Sequence, residues 1–509
     1  MGTLSEHLVK AFILAVDGFA LILLFLCLTV LGVAIYYRKT KKRPVFVNGK
    51  RAKMVGFFHP YANSCGGGEK VLWGAVQGLQ EIAEFHPIHC VIYTGDKESK
   101  EAILKKTREI LHFDIHDSFS LEIIHLSTRT WLEASHYPHF TMLFQSLASM
   151  LVVIDGLRQF VPDIFFDTTG LAFTYPVVKL LTGATVLSYT HYPTISTDML
   201  QRVREKRSTY NNDAFISNST TISTLKLLYY HAFSVLYGLV GRCADLVMVN
   251  GTWTYNHILS LWRQPEKTSI VYPPCDTSEH RKLGLGCARQ RCVLSIGQFR
   301  PEKDHVKQLY ILRKLIDADD QFADVRLVLV GGCRNVEDER RVAELKRIVS
   351  DLGIERNVVF EVNAPYERMQ EYLATSLAGI HTMWNEHFGI CVVEMIAAGL
   401  VTVAHNSAGP KEDIIVPAYP LVNGEYSLDT LHSEKCPVGF LAASVEEYVK
   451  ALSFILSHEA EMKQVSDAAR EQSRLFSTER FVKTVKDKMA AFLVLCVCEN
   501  RVLNGIVEK

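Results

Sequence analysis

Residues 378–405 read AGIHTMWNEHFGICVVEMIAAGLVTVAH. The stretch opens on an apolar run at 378–383, turns through Asn385 to Phe388, and enters an apolar helix behind Gly389. A second apolar, β-branched run follows at 400–405. Strand, helix and strand in immediate succession make the βαβ unit of a parallel sheet.

Working outward, the same alternation fills the chain from Met54 onward. Candidate strands fall at 54–58, 88–94, 119–126, 162–168, 185–190 and 245–250, then at 292–299, 325–331, 357–362, 378–383 and 400–405. Continuous apolar runs such as 325–330 suit parallel strands buried on both faces. The predicted fold class is α/β, with two doubly wound Rossmann-like domains. The polar, aperiodic segment PPCDTSEHRKLGLGCARQ at 273–290 separates them. The predicted organisation is a tail, anchor and basic collar at 1–53, a first domain at 54–285, a second at 286–475, and a C-terminal helix at 476–509 packing back on the first domain. Ser444 followed by Glu447 predicts a capping box, with Tyr448, Leu452 and Ile455 on one helix face.

Composition narrows the functional class. The 509 residues carry 55 Lys and Arg against 55 Asp and Glu, a balance that excludes a general nucleic-acid binder. Aromatic residues at 10% and hydrophobic residues at 48% describe a chain with large cores. Twelve cysteines form no CxxC pair and no zinc-ligand ladder, so they read as reduced thiols of a cytosolic body.

The run 18–37 holds twenty uncharged, mostly apolar residues, enough to cross a ~30 Å hydrocarbon core. Arg38, Lys39, Lys41, Lys42, Arg43, Lys50, Arg51 and Lys53 follow without an intervening acid. This asymmetry predicts a single-pass anchor with a lumenal tail and a cytosolic body, held near anionic headgroups by its collar. Two further apolar stretches, 141–160 and 224–240, read as core helices that can also lie on a membrane surface.

Three loops carry the chemistry. After the first strand, Gly66, Gly67, Gly68 and Glu69 lead into a helix with Val71, Leu72, Ala75, Val76, Leu79 and Ile82 at helical spacing. Such a turn brings backbone amides close to a phosphate or sugar-phosphate, yet it matches neither a dinucleotide fingerprint nor a P-loop. In the second half, Arg300 and Lys303 follow a strand, where open α/β sheets bind ligands. Glu386 and Glu394 stand eight residues apart, one in a loop and one inside the next helix. They can hydrogen-bond two hydroxyl-bearing rings while the helix amides hold a diphosphate between them. Asp317-Ala318-Asp319 is a DxD sequence in a polar run and reads as a solvated turn rather than a metal site.

Taken together, the Glu-x7-Glu segment, the Arg/Lys loop, Tyr272-Pro273-Pro274 and the two α/β halves resemble the retaining GT-B glycosyltransferases. FHPYANSCGGGEKVLW, SYTHYPTISTDML, FRPEKDH and NEHFGICVVEMIAAG look like the eukaryotic α-1,2-mannosyltransferases of asparagine-linked glycan assembly. The resemblance implies two domains facing across a cleft, GDP-mannose as donor and a dolichol-diphosphate-linked oligosaccharide as acceptor. It also implies an endoplasmic reticulum membrane location, partnership with other early mannosyltransferases, and catalysis without a metal or other cofactor. Carried onto this sequence, Glu394 meets the ribose hydroxyls and Glu386 the mannose hydroxyls. Phe388, Gly389 and Ile390 offer backbone groups, Arg300 and Lys303 neutralise the diphosphate, and His191 faces the sugar. Gly66 to Glu69 then line the acceptor side. The sequence departs from the family pattern at Gln298, where many relatives carry Arg. Two alternatives stay open at this level: a lipid-linked-glycan transferase using another nucleotide-sugar, and a non-catalytic membrane scaffold that binds nucleotide-sugar.

Overall fold

A computed structural model describes residues 28–507 apart from 30, 65, 197–219, 287 and 433. The anchor expected at 18–37 lies mostly outside the described residues. Its last part, 31–36, is helical, with Leu31, Val33 and Ile35 exposed. The chain divides into two compact units, 1–248 with 259–268 and 492–509, and 249–258 with 269–491.

In the first unit the collar is more ordered than its charge suggests. Arg38 Nη2 donates to the carbonyl of Leu180 at 3.1 Å, and Lys42 pairs with Asp163 at 2.9 Å. A small antiparallel hairpin, β1 (Phe46–Val47) and β2 (Lys50–Arg51), follows. Asn48 and Gly49 form its turn, both at positive φ (51° and 73°), the backbone an Asn-Gly hairpin turn requires. The main sheet contains β3 (Lys53–Phe58), β4 (Ile88–Thr94), β5 (Leu121–His125), β6 (Ile164–Asp167), β7 (Thr185–Thr190), β8 (Leu246–Val249) and β9 (Thr268–Ile270), in the order β5-β4-β3-β6-β7-β8-β9. Pairings from β5 through β7 are parallel. Every residue of β4 and β6 is buried, as helix-covered parallel strands demand. The covering helices include α1 (Gly67–Ala83), α2 (Lys100–Leu111), α3 (Thr141–Gln159), α4 (Thr174–Thr182) and α5 (Thr220–Gly241). The α1 residues expected to face inward, Val71, Leu72, Ala75, Val76, Leu79 and Ile82, are all buried. Helix α6 (Thr252–Trp262) follows β8.

The second unit carries β10 (Gln290–Ile296), β11 (Arg326–Gly331), β12 (Val358–Val362), β13 (Ser376–His381), β14 (Val401–His405) and β15 (Phe440–Ala442). All pairs are parallel, in the order β12-β11-β10-β13-β14-β15. Its helices are α7 (His305–Ala318), α8 (Val336–Asp351), α9 (Tyr366–Thr375), α10 (Ile390–Ala397), α11 (Val445–Ser457), α12 (Met462–Gln472) and α13 (Thr478–Val507). The capping box at Ser444 and Glu447 is formed, with Tyr448, Leu452 and Ile455 buried.

Sequence and structure differ where elements are short. Strands β1, β2, β9 and β15 have two or three residues each, too few to give a periodic signal. The strand expected at 378–383 runs two residues earlier, which makes His381 its last residue and puts Thr382 in the loop. The segment expected to link the halves belongs to the second unit. Cys275 N donates to Phe476 O and Thr478 N to Cys275 O, both at 3.1 Å, so this segment is tied to the start of α13. Residues 476–491 count with the second unit and 492–507 with the first.

Candidate functional site

Each sheet reverses its winding once. In the first unit the reversal lies between β3 and β6, and in the second between β10 and β13. Loops leaving the carboxyl ends of those strands are where doubly wound sheets bind ligands.

In the second unit, the loop after β10 stays close to its neighbour strand. Gly297 N donates to Val330 O at 2.9 Å, and Phe299 N to Gly332 O at 3.2 Å. A Cβ on Gly331 would sit 2.1 Å from the Gly297 carbonyl oxygen, so this approach requires glycine. One helical turn at Pro301–Lys303 then delivers Lys303, and Asp304 caps α7. The Lys303 ammonium pairs with Glu386 Oε2, and His381 Nε2 lies 3.2 Å from the same oxygen. Two cationic donors thus converge on one carboxylate oxygen at the switch point. Thr382 Oγ1 donates to the Lys303 carbonyl at 2.9 Å, binding the two loops together through the backbone as well.

The loop carrying Glu386 is fixed from β14. Asn385, at φ 51°, donates its N–H to Ser407 Oγ at 2.9 Å, and Gly409 N donates to Glu386 O at 3.0 Å. Gly389 turns the chain at φ 108° into α10, whose N-terminus has no side-chain cap. The amides of Ile390 and Cys391 therefore stand at the positive end of the helix. Glu394 lies one turn further along and is half-buried. Phe388 is buried and packs on Tyr272 and Phe476, with centroids 5.8 and 5.5 Å away, so its ring is a structural wedge. Behind it Asp413 accepts from Thr252 N at 2.9 Å, Thr252 Oγ1 at 2.6 Å and Tyr272 Oη at 3.0 Å.

Burial alone would raise the Glu386 carboxyl. The His381 hydrogen bond and the Lys303 charge outweigh it and hold the group far below the usual carboxylate range. Burial likewise works against the charge on Lys303, and Glu386 reverses this and raises its pKa. Burial pushes His305 and His405 down to about 4, with nearby cations adding to the effect. The cluster therefore holds an ionised carboxylate among cations beside two neutral imidazoles.

In the first unit, β3 is followed by His59 and β6 by Thr168. His59 Nδ1 lies 2.8 Å from Thr168 Oγ1, and its Nε2 lies 3.4 Å from Glu69 Oε1. Glu69 Oε2 accepts the Gly66 N–H at 2.5 Å, so the glutamate caps the glycine turn from the first turn of α1. The carboxylate of Glu69 is thus turned onto its own loop and buried. Burial raises its pKa, and the His59 contact and backbone amides more than reverse this, leaving it lowered. His191 Nε2 lies 3.1 Å from the Thr168 carbonyl. A Cβ on Gly68 would sit 3.7 Å from His59 Cε1 and 3.9 Å from His191 Nε2. The glycine turn, His59 and His191 therefore form one cluster.

Of the residues expected from sequence, Lys303 and Glu386 meet directly, and His191 joins Gly68. Arg300 finds its ion partner in Glu302 at 4.0 Å. The DxD acids are engaged locally: Asp317 pairs with Arg313, and Asp319 accepts from Gln321 N at 3.0 Å. Sequence reasoning missed His381, His59 and Asp413. For the two histidines the available signal was a polar residue at the end of a strand flanking a topological reversal; Asp413, in the helical turn Pro410–Ile414 after β14, carried no such signal.

Comparison with known proteins agrees with this architecture. Residues 52–262 match the family described as ALG11 mannosyltransferase N-terminus, and residues 279–472 match Glycosyl transferases group 1. A Xenopus laevis protein named GDP-Man:Man(3)GlcNAc(2)-PP-Dol alpha-1,2-mannosyltransferase is 45% identical over 467 residues, 90% of this chain and 91% of that protein. The Homo sapiens protein of the same name is 43% identical over 454 residues, 88% of each chain. Among solved structures, Anabaena Alr3699/HepE with UDP and glucose covers 86% of this chain and 99% of its own, with TM-score 0.54 and 15% identity. Trehalose 6-phosphate synthase from Burkholderia multivorans covers 87% and 100%, with TM-score 0.61 and 11% identity. At those identities the likeness is one of fold. With identity above 40% across about nine-tenths of its length and both family matches in order, the chain belongs to the ALG11 family of group 1 glycosyltransferases.

Proposed function

We propose that the protein transfers mannose from GDP-mannose, in α-1,2 linkage, to dolichol-diphosphate-linked Man3GlcNAc2 and then to the Man4GlcNAc2 product. One observation carries the reading: the whole-length similarity to mannosyltransferases of that name coincides with a Lys303–Glu386 pair at the switch point of the second sheet.

In this reading Glu386 accepts hydroxyls of the mannose and Glu394 those of the ribose. Lys303, Arg300 and the amides of Ile390 and Cys391 neutralise the diphosphate, with Gly389 giving it room. Preorganised positive charge is what a nucleoside-diphosphate leaving group needs most, and it does not require a bound metal. Lys303 meets the charge that builds on the departing phosphate. His191 and the glycine turn, with Glu69 as its cap, serve the sugar and acceptor side. Retention, implied by the family resemblance, is assigned to a same-face, ion-pair-like substitution, with Glu386 serving a sugar hydroxyl and not as a nucleophile.

The acceptor lipid stays in the bilayer, so the enzyme belongs on the cytosolic face of the endoplasmic reticulum membrane, alongside other early mannosyltransferases of the same route. The apolar run 18–37 supports an N-terminal anchor. Helix α3 is long and apolar enough to cross a membrane. Its Val152, Val153 and Leu157 are buried in the first unit, whereas Phe144, Leu147 and Leu151 are exposed, a pattern that favours lying on the surface over crossing it.

Donor competition tests the proposal. GDP should inhibit transfer at least tenfold more strongly than UDP, and a chelator should leave the rate unchanged. Stronger inhibition by UDP would replace the donor, and loss of activity with the chelator would overturn the metal-free mechanism.

A further inference from the structure

We infer that His381 is a positioning residue of the donor site, holding one oxygen of Glu386 so that the other is presented to the donor sugar. The inference rests on the donor-site reading above and deepens it.

The geometry divides the two carboxylate oxygens. Lys303 and His381 both donate to Oε2. Oε1 takes no hydrogen bond among the described residues and is the oxygen left to accept a sugar hydroxyl. A carboxylate held by a single flexible lysine can rotate. A second donor at 3.2 Å from a buried ring, 3% exposed, removes that freedom.

His381 is itself immobilised. It closes β13, and its carbonyl accepts the Tyr448 hydroxyl at 2.7 Å. The next residue, Thr382, donates to the Lys303 carbonyl at 2.9 Å and accepts from Gln308 Nε2 at 2.9 Å. The dipeptide His381-Thr382 therefore fixes both partners of the ion pair, one through its side chain and one through its backbone. His381 Nδ1 is buried without a hydrogen-bond partner among the described residues. An apolar side chain would avoid that cost, so a histidine here answers to its polar neighbours, the Glu386 carboxylate and the Cys391 sulfur, and not to core packing. The neighbouring imidazoles of His305 and His405 are held neutral by burial, which leaves His381 as the imidazole of the cluster that supports a negative Glu386.

A double-mutant cycle in the full-length enzyme tests this. His381→Ala should lower kcat/KM for GDP-mannose about 10- to 100-fold while GDP affinity stays within about twofold, because GDP lacks the sugar that Glu386 reads. His381→Gln, which keeps a donor, should recover about tenfold of that loss. In the Glu386→Ala background, followed by single-turnover mass detection, His381→Ala should cost less than about twofold. Equal losses in both backgrounds, or a parallel fall in GDP affinity, would overturn the inference and leave the donor-site reading intact. Unchanged turnover in Glu386→Ala alone would overturn that reading, and the inference with it.

Discussion

Lys303 and Glu386, 83 residues apart in sequence, meet as an ion pair between the carboxyl ends of the neighbouring strands β10 and β13. The strands bring the loops together, Thr382 joins them through the backbone, and the charges complete the contact. Replacing Lys303 by Ala removes the cation proposed to meet the departing diphosphate. The expected loss in kcat is about 10²- to 10³-fold. Lys303→Arg should regain little, since a planar guanidinium does not fit a site made for a point charge. Steady-state kinetics with GDP-mannose checks both, and near-wild-type turnover in Lys303→Ala would remove the residue from the mechanism.

A pH prediction follows from His381. Burial lowers its pKa, but the Cys391 sulfur and the Glu386 carboxylate outweigh that and raise it to about 9. A group raised above its unfolded value of ~6.5 stabilises the fold fully below that pH, and the contribution fades as pH climbs through about 9. Besides the Cys391 thiol, the groups facing it are Lys303, raised by Glu386 despite burial, Glu386 itself, held far down, and His305 and His405 at about 4. These four do not titrate in that window. Denaturant melts should show stability declining from pH 6.5 to 9, by on the order of 3 kcal/mol at most. His381→Gln should flatten the slope.

Two adjacent glycines should respond differently to alanine. At Gly331 the added Cβ would lie 2.1 Å from a backbone oxygen, whereas at Gly332 the nearest atom is Asn363 Oδ1 at 3.8 Å. Gly331→Ala should cost roughly 2–4 kcal/mol and distort the Lys303 loop. Gly332→Ala should stay within about 1 kcal/mol of wild type. Thermal melts of the two variants, measured side by side, check the contrast.

Asp413 supports the wedge behind α10. Burial raises its pKa, offset in part by its bonds from Thr252 and Tyr272. Asp413→Ala would leave three donors without their acceptor and loosen Tyr272 against Phe388. The expected result is a destabilisation of about 3–5 kcal/mol. Asp413→Asn should be milder, since an amide oxygen still accepts.

The sequence made the two sheets legible because parallel buried strands are continuous apolar runs, and 325–330 or 400–405 have no other comfortable reading. Glu386, Lys303 and His191 were legible as polar residues just beyond strand ends. His381 was not, because its meaning depends on the strand ending two residues early, and strand ends are the least certain feature of an apolar run. Glu69 was legible as a glycine-loop residue but not as the cap that closes the loop, a matter of side-chain direction. The tie between 275 and 476–478 is a backbone pairing across about two hundred residues, with no local signature.

The most direct test is to weigh the products. Full-length protein in detergent, with GDP-mannose and a short-chain lipid-diphosphate Man3GlcNAc2, should yield products heavier by one and two hexoses, both falling steeply with Glu386→Ala. An acceptor that gains no hexose from GDP-mannose while the protein binds GDP would contradict the proposed transfer.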